Sequence, residues 1–154
     1  MRRLIATVCV LAFAIPAAAI AATRAPGDGT LSVRDAHGTF VVAARGGVIG
    51  SFVHGRVIIT DPDPNDGTGP IVTGDEWHKE RSDITDAYGG TKVRFRLIGG
   101  TFRIKVVGVG VNLSVVGKGV VVLNGDGTPD DGTYSLDGGD YVPVPDVPAT
   151  LTLP

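Results

Sequence analysis

Two acidic stretches hold the residue types best able to do chemistry in this chain. Residues 61–70 read DPDPNDGTGP and residues 124–133 read NGDGTPDDGT. Calcium takes about six to eight oxygen ligands, and loops deliver them as carboxylates alternating with flexible residues. Asp61, Asp63 and Asn65 follow the D-x-D-x-N spacing of an EF-hand loop, with Asp66 next in line. Gly67 falls one place after the turn glycine of such a loop, and Val72 stands where its closing glutamate would be. The second stretch offers Asp126, Asp130 and Asp131 at a poorer spacing. Asn-Gly and Asp-Gly pairs are also what tight turns demand, because their backbones need positive φ. The sequence therefore supports acidic turns first. It requires no cofactor, and Ca2+ is the ion these loops suggest.

A second chemical signal is cationic. Apolar and charged residues alternate on both sides of Gly99-Gly100. A two-residue turn there sets Leu97 opposite Phe102, Phe95 opposite Ile104 and Val93 opposite Val106. The same register places Arg96 opposite Arg103 and Arg94 opposite Lys105, with Lys92 nearby. Like charges directly across a ladder are destabilising, so this stripe is a candidate anion site. The equivalent outward positions upstream are Ser32, Arg34, Val41 and Ala43, which carry no such stripe.

Catalytic candidates are thin. His37 and His54 each precede a glycine and read as turn-tip residues. His78 lies between Glu76 and Glu80 beside Trp77, in a charged connecting segment. Ser51 and His54 are three apart, a spacing that sends strand residues to opposite faces. No G-x-S-x-G elbow, H-E-x-x-H pair or phosphate loop occurs.

The elements that must position these residues are strands. The segment LSVRDAHGTFVVAARGGV (31–48) aligns with VRFRLIGGTFRIKVVGVGV (93–111): Arg34 falls on Arg96, and Gly38-Thr39-Phe40 on Gly100-Thr101-Phe102. The match continues through Ser51 and Ser114 to Asp66-Gly67-Thr68 and Asp131-Gly132-Thr133. Such self-similarity reads as a tandem duplication, with copy one over 30–74 and copy two over 92–141. Branched apolar runs cut by glycine predict strands over 31–36, 39–45, 48–53 and 56–60, then over 92–98, 101–107, 111–116 and 119–124. The expected fold is all-β, with eight antiparallel strands from a duplicated four-stranded unit in a closed barrel or two-sheet sandwich. The linker 75–91 is expected to form one or two helical turns around DEWHKER, and the proline-rich tail 142–154 reads as an extended tail or edge segment.

The N-terminus predicts export. Arg2 and Arg3 precede an apolar run over 4–15, Pro16 breaks it, and AAAIAA supplies a cleavage site after residue 21. Retention of 4–22 as an anchor is the rival reading. Cleavage leaves a single domain over 22–154 with no cysteine, so thiolate and disulfide chemistry are excluded. It also leaves 12 basic against 16 acidic residues, a net charge of −4 that argues against general nucleic-acid binding.

The run VRFRLIGGTFRIKVVGVGVNLSVVGKGVVVLNGDG, with DGTYSLDGG after it, resembles small exported β-proteins of actinobacterial type. That resemblance implies secretion and an all-β fold, and it brings no active site. The sequence reads as a secreted or envelope-associated, non-catalytic module with no membrane span after cleavage. Its basic hairpin would meet an anionic envelope polymer or an acidic protein surface. A calcium-stabilised module and a hydrolase are the alternatives.

Overall fold

The computed structural model describes residues 27–128 and 130–154, so the signal peptide expected over 1–21 lies outside the described residues. Seven strands and no helix occur among them: β1 (Gly29–Thr60), β2 (Ile71–Thr73), β3 (Trp77–Ser82), β4 (Thr85–Gly125), β5 (Thr133–Leu136), β6 (Val142–Pro143) and β7 (Ala149–Leu153). Every ladder is antiparallel. The sheet is not closed into a barrel, which corrects one of the two architectures expected. Its order, β2-β4-β1-β5-β6, ends in short strands, and β3 and β7 pair elsewhere along β4.

The eight expected strands are merged into β1, with 32 residues, and β4, with 41. β1 pairs with β4 along both of its edges. Phe40 faces Val106 on one side and Leu123 on the other, and Val57 faces Tyr88 and Val106. The two partners of one β1 residue thus lie 17 or 18 positions apart on β4. Two antiparallel strands wound about one another give this register.

The local hairpin over 93–106 does not form. Leu97 pairs with Val48 and Phe102 with Ala44, although Gly99 and Gly100 do turn, at φ 89° and 75°. Both registers bury the same six side chains, Val93, Phe95, Leu97, Phe102, Ile104 and Val106. Alternation therefore cannot choose between them. In the observed pairing 93–98 lies between β1 and β2, and 103–108 lies between two passes of β1, so both edges of each are occupied.

Hydrogen-bonded neighbours fall into two groups. In the first, segments 85–91, 54–60, 103–109, 38–45 and 118–124 lie side by side, flanked by β3 and β7. In the second, segments 93–98, 47–52, 112–116 and 29–33 do so, flanked by β2 and β5. Both groups bury alternate residues in one core. The first contributes Phe40, Val57, Ile104 and Leu123, and the second Leu31, Val48, Phe95 and Leu113.

The long strands pass between the groups at glycine bends. Gly46 faces Gly117 with φ 148°, and a Cβ there would lie 2.1 Å from the Val116 carbonyl oxygen. Gly55 faces Gly108 with φ 153°, and its Cβ would lie 2.3 Å from the Val107 carbonyl oxygen. No side chain fits such an approach. His37 and His54 are consequently not hairpin tips; they sit within β1, each just before a bend.

The helical turns expected around DEWHKER are also absent. β3 is an edge strand, exposed along its whole length, so it has no apolar stripe to hold a helix against the core. Cross-strand contacts hold it instead. The His78 and Tyr88 rings stack with centroids 4.4 Å apart, and His78 Nε2 lies 2.8 Å from Asp86 Oδ1. The tail is extended as expected, with β7 pairing against residues 119–123.

Replacing Gly46 or Gly55 by alanine forces positive φ and a clash with a facing carbonyl. Each substitution should cost about 2 kcal/mol or more in urea unfolding. Gly69, with open space around it, serves as the control: Gly69→Ala should stay within about 0.5 kcal/mol of wild type.

Candidate functional site

Alternation along the second group decides which side chains leave the core. Val93, Phe95 and Leu97 are buried, so Arg94 and Arg96 point outward. Leu31 and Val33 likewise turn Ser32 and Arg34 outward, and Val48 and Phe52 do so for Ile49 and Ser51. The register then aligns them in two rows. One runs Ile71, Arg96, Ile49, Ser114, Ser32; the other runs Thr73, Arg94, Ser51, Asn112. Arg34, which faces Thr133, stands beside the end of the second row. Together these residues line an open depression of about 680 Å³.

Three guanidinium groups border this depression, Arg94 and Arg96 from one side and Arg34 from the other. The Arg34 guanidinium lies 3.9 Å from the centre of the Tyr141 ring, a cation–π contact. Tyr141 in turn donates its hydroxyl to Ser32 Oγ at 2.8 Å, which fixes the platform. Asn112 braces the bulge next to Arg34: its Oδ1 accepts from the Asp35 N–H at 3.2 Å, and its Nδ2 donates to the Gly110 carbonyl at 3.2 Å. No arginine of the depression has an ion pair among the described residues; the pair found there joins His78 and Asp86. Ile49 and Ile71 remain about half exposed between the charges, at 48% and 49%.

The cationic residues singled out from sequence are thus divided. Arg94 and Arg96 share the depression, whereas Arg103 and Lys105 belong to the first group, where Arg103 faces Ala43 and Thr60 and Lys105 faces Val41 and Ile58. Lys92 sits at the bend between groups, exposed and with φ 61°. Arg96 and Arg103 are not opposite one another, so the expected repulsive stripe does not exist. Arg34 is the residue that sequence reasoning passed over. The internal alignment had already matched it to Arg96, but nothing local told that both would open onto one surface.

In the acidic loops, Asp61, Asp66 and Asp131 are engaged by their own turns. Asp61, buried, accepts the Asp63 N–H at 3.1 Å. Asp66 Oδ1 accepts the Thr68 N–H at 2.7 Å and also the Thr68 hydroxyl. Asp131 Oδ2 accepts from the N–H groups of Gly127 at 2.6 Å and Thr128 at 3.1 Å, while its Oδ1 takes the Thr128 hydroxyl at 2.6 Å. These hydrogen bonds, led in each case by a threonine hydroxyl, hold Asp66 and Asp131 below the usual carboxylate pKa. Asp63, Asn65, Asp126 and Asp130 are exposed. No three acidic, histidine or cysteine side chains gather to hold a metal among the described residues.

Ser51 and His54 are not brought together. Ser51 opens onto the arginine depression, whereas His54 lines a smaller one of about 490 Å³ with Arg56, Trp77 and Asp126. No helix among the described residues is long and apolar enough to cross a membrane. Comparison with protein-family models, curated proteins and solved structures gives no match.

A depressed native pKa makes the Asp131 carboxylate stabilising above its unfolded value of 3.8, and that contribution is lost as pH falls through the native value. Asp131→Ala should therefore melt below wild type at pH 7, and the gap should narrow below pH 3.8. Because backbone N–H groups already engage Asp61, Asp66 and Asp131, the melting temperature should be the same in chelator and in millimolar calcium.

Proposed function

We propose that the protein is a non-catalytic module, exported by its N-terminal segment and acting outside the cytoplasm, that binds an anionic linear polymer along the arginine depression. The observation that carries this reading is the set of three arginines around one concave surface, none of them in an ion pair among the described residues. Guanidinium groups pair with carboxylate or phosphate through two parallel hydrogen bonds. Ile49 and Ile71 offer apolar contact to the backbone of such a polymer, while Ser51 and Ser114 offer hydroxyls between the charges. A linear ligand suits a surface laid across adjacent strands. The separate placement of Ser51 and His54 favours binding over hydrolysis.

In this reading the architecture is a two-layer sandwich built by tandem duplication, and the ladders support both parts. Residues 71, 72 and 73 pair with 96, 95 and 94. Shifting the first set by 62 and the second by −62 gives 133, 134 and 135 paired with 34, 33 and 32, which is the ladder between β5 and β1. Val42 pairs with Ile104, 62 positions on, and so marks the axis that would relate the copies. The two groups of segments share one core, as two facing layers do.

The test is binding of residues 22–154 to immobilised polygalacturonate and polyphosphate, with uncharged dextran as control. Affinity should fall steeply as salt rises. The double variant Arg94→Ser/Arg96→Ser should bind roughly tenfold more weakly at low ionic strength, if each exposed contact is worth up to about 1 kcal/mol. Binding that ignores both salt and the double variant would sink the reading.

A further inference from the structure

We propose that the first group of segments carries a second anion-docking face, and that the protein bridges two polymer strands. The proposal rests on the polymer-binding reading above and extends it to the other side of the core.

Burial of Val57, Ile59, Phe102, Ile104, Phe40 and Val42 turns the intervening residues of those segments outward. Six cations stand on that outer surface: Arg45, Arg56, Lys79, Arg103, Lys105 and Lys118. All are exposed, and no ion pair reaches any of them among the described residues. Arg45 and Lys118 face each other directly across a ladder, an arrangement that costs stability when no anion lies between them. The outward rows contain no acidic residue. One runs Lys79, Ala87, Ile58, Lys105, Val41, Val122, and another runs Thr60, Arg103, Ala43, Val120. Asp126 lines the smaller depression with Arg56, and the segment of Gly27 and Asp28 runs beside Lys118, whose Nζ would lie 3.5 Å from a Cβ at Gly27.

A chain that is acidic overall thus keeps carboxylates off two broad surfaces and leaves cations on both. Because the two groups share one core, their outer surfaces face away from each other. Sheets packed face to face lie about 10 Å apart, so a polymer strand on each surface would be held side by side by one molecule. Half-exposed Val41, Val122 and Ile58 between the cations suit the apolar faces of a sugar ring. The occupant of the second face is therefore a second length of the same acidic polymer.

Long-chain polygalacturonate, titrated with residues 22–154 and followed by light scattering, tests this. The wild type should give scattering that peaks at an intermediate ratio and falls with excess polymer, because excess leaves each molecule with one strand. The variant Arg103→Ser/Lys105→Ser/Lys118→Ser should bind immobilised polymer within about threefold of wild type, yet scatter about tenfold less. If the serine set melts lower, the glutamine set at the same positions keeps the aliphatic stems and replaces it. Wild-type binding without scattering, or undiminished scattering by the variant, overturns bridging and leaves the arginine depression standing. Scattering by the protein alone also overturns it. No binding to the polymer at low salt overturns both readings.

Discussion

The structure depends on the close approach of two long strands that pair along both edges. A residue in the middle of β1 has β4 on its left and β4 again on its right, 17 or 18 positions along. Such winding demands that both strands change direction at matching levels. The facing pairs Gly46–Gly117 and Gly55–Gly108 meet that demand by leaving out the side chains that would strike a carbonyl. Everything else follows from these crossings. They divide the segments into two groups, give both groups a common core, and determine which alternate residues look outward.

Charge placement is a consequence of the same geometry. Asp66 and Asp131, in the loops, bind N–H groups of their own turns. A carboxylate engaged by a turn is spent locally and cannot reach a cation in mid-sheet. Among the described residues the arginines and lysines of the strands thus make no ion pair, while Asp61, Asp66 and Asp131 are satisfied within their own turns. Net charge alone, slightly negative, conceals this separation.

Much of the core was legible in the sequence, because alternation names the inward residues whatever their partners. Phe95, Leu97, Phe102 and Ile104 were placed correctly even though their pairing was not. The partners were illegible for a physical reason: the local hairpin and the long-range ladder bury an identical set. Glycines posed the same difficulty, since positive φ serves a turn and a strand crossing equally well. A polar edge strand such as β3 has no apolar period, so 77–82 was open to a helical reading. The acidic loops, by contrast, followed from turn chemistry. Arg94 and Arg96 were singled out as cationic, but the arginine that lines the same depression with them, Arg34, comes from a segment some sixty positions upstream.

The pairing scheme also has a temporal meaning. All the ladders of β1 run to β4 or β5, and none joins one part of β1 to another. A ribosome that has released residues 29–60 has released a strand with no partner yet made. Even the innermost contact, Thr60 with Thr85, waits for a further stretch of chain, and the outermost, Leu31 with Leu136, waits until β5 has been made. Topologies dominated by such distant pairing close slowly. β1 therefore stays without its ladder partners until β4 and β5 have been made.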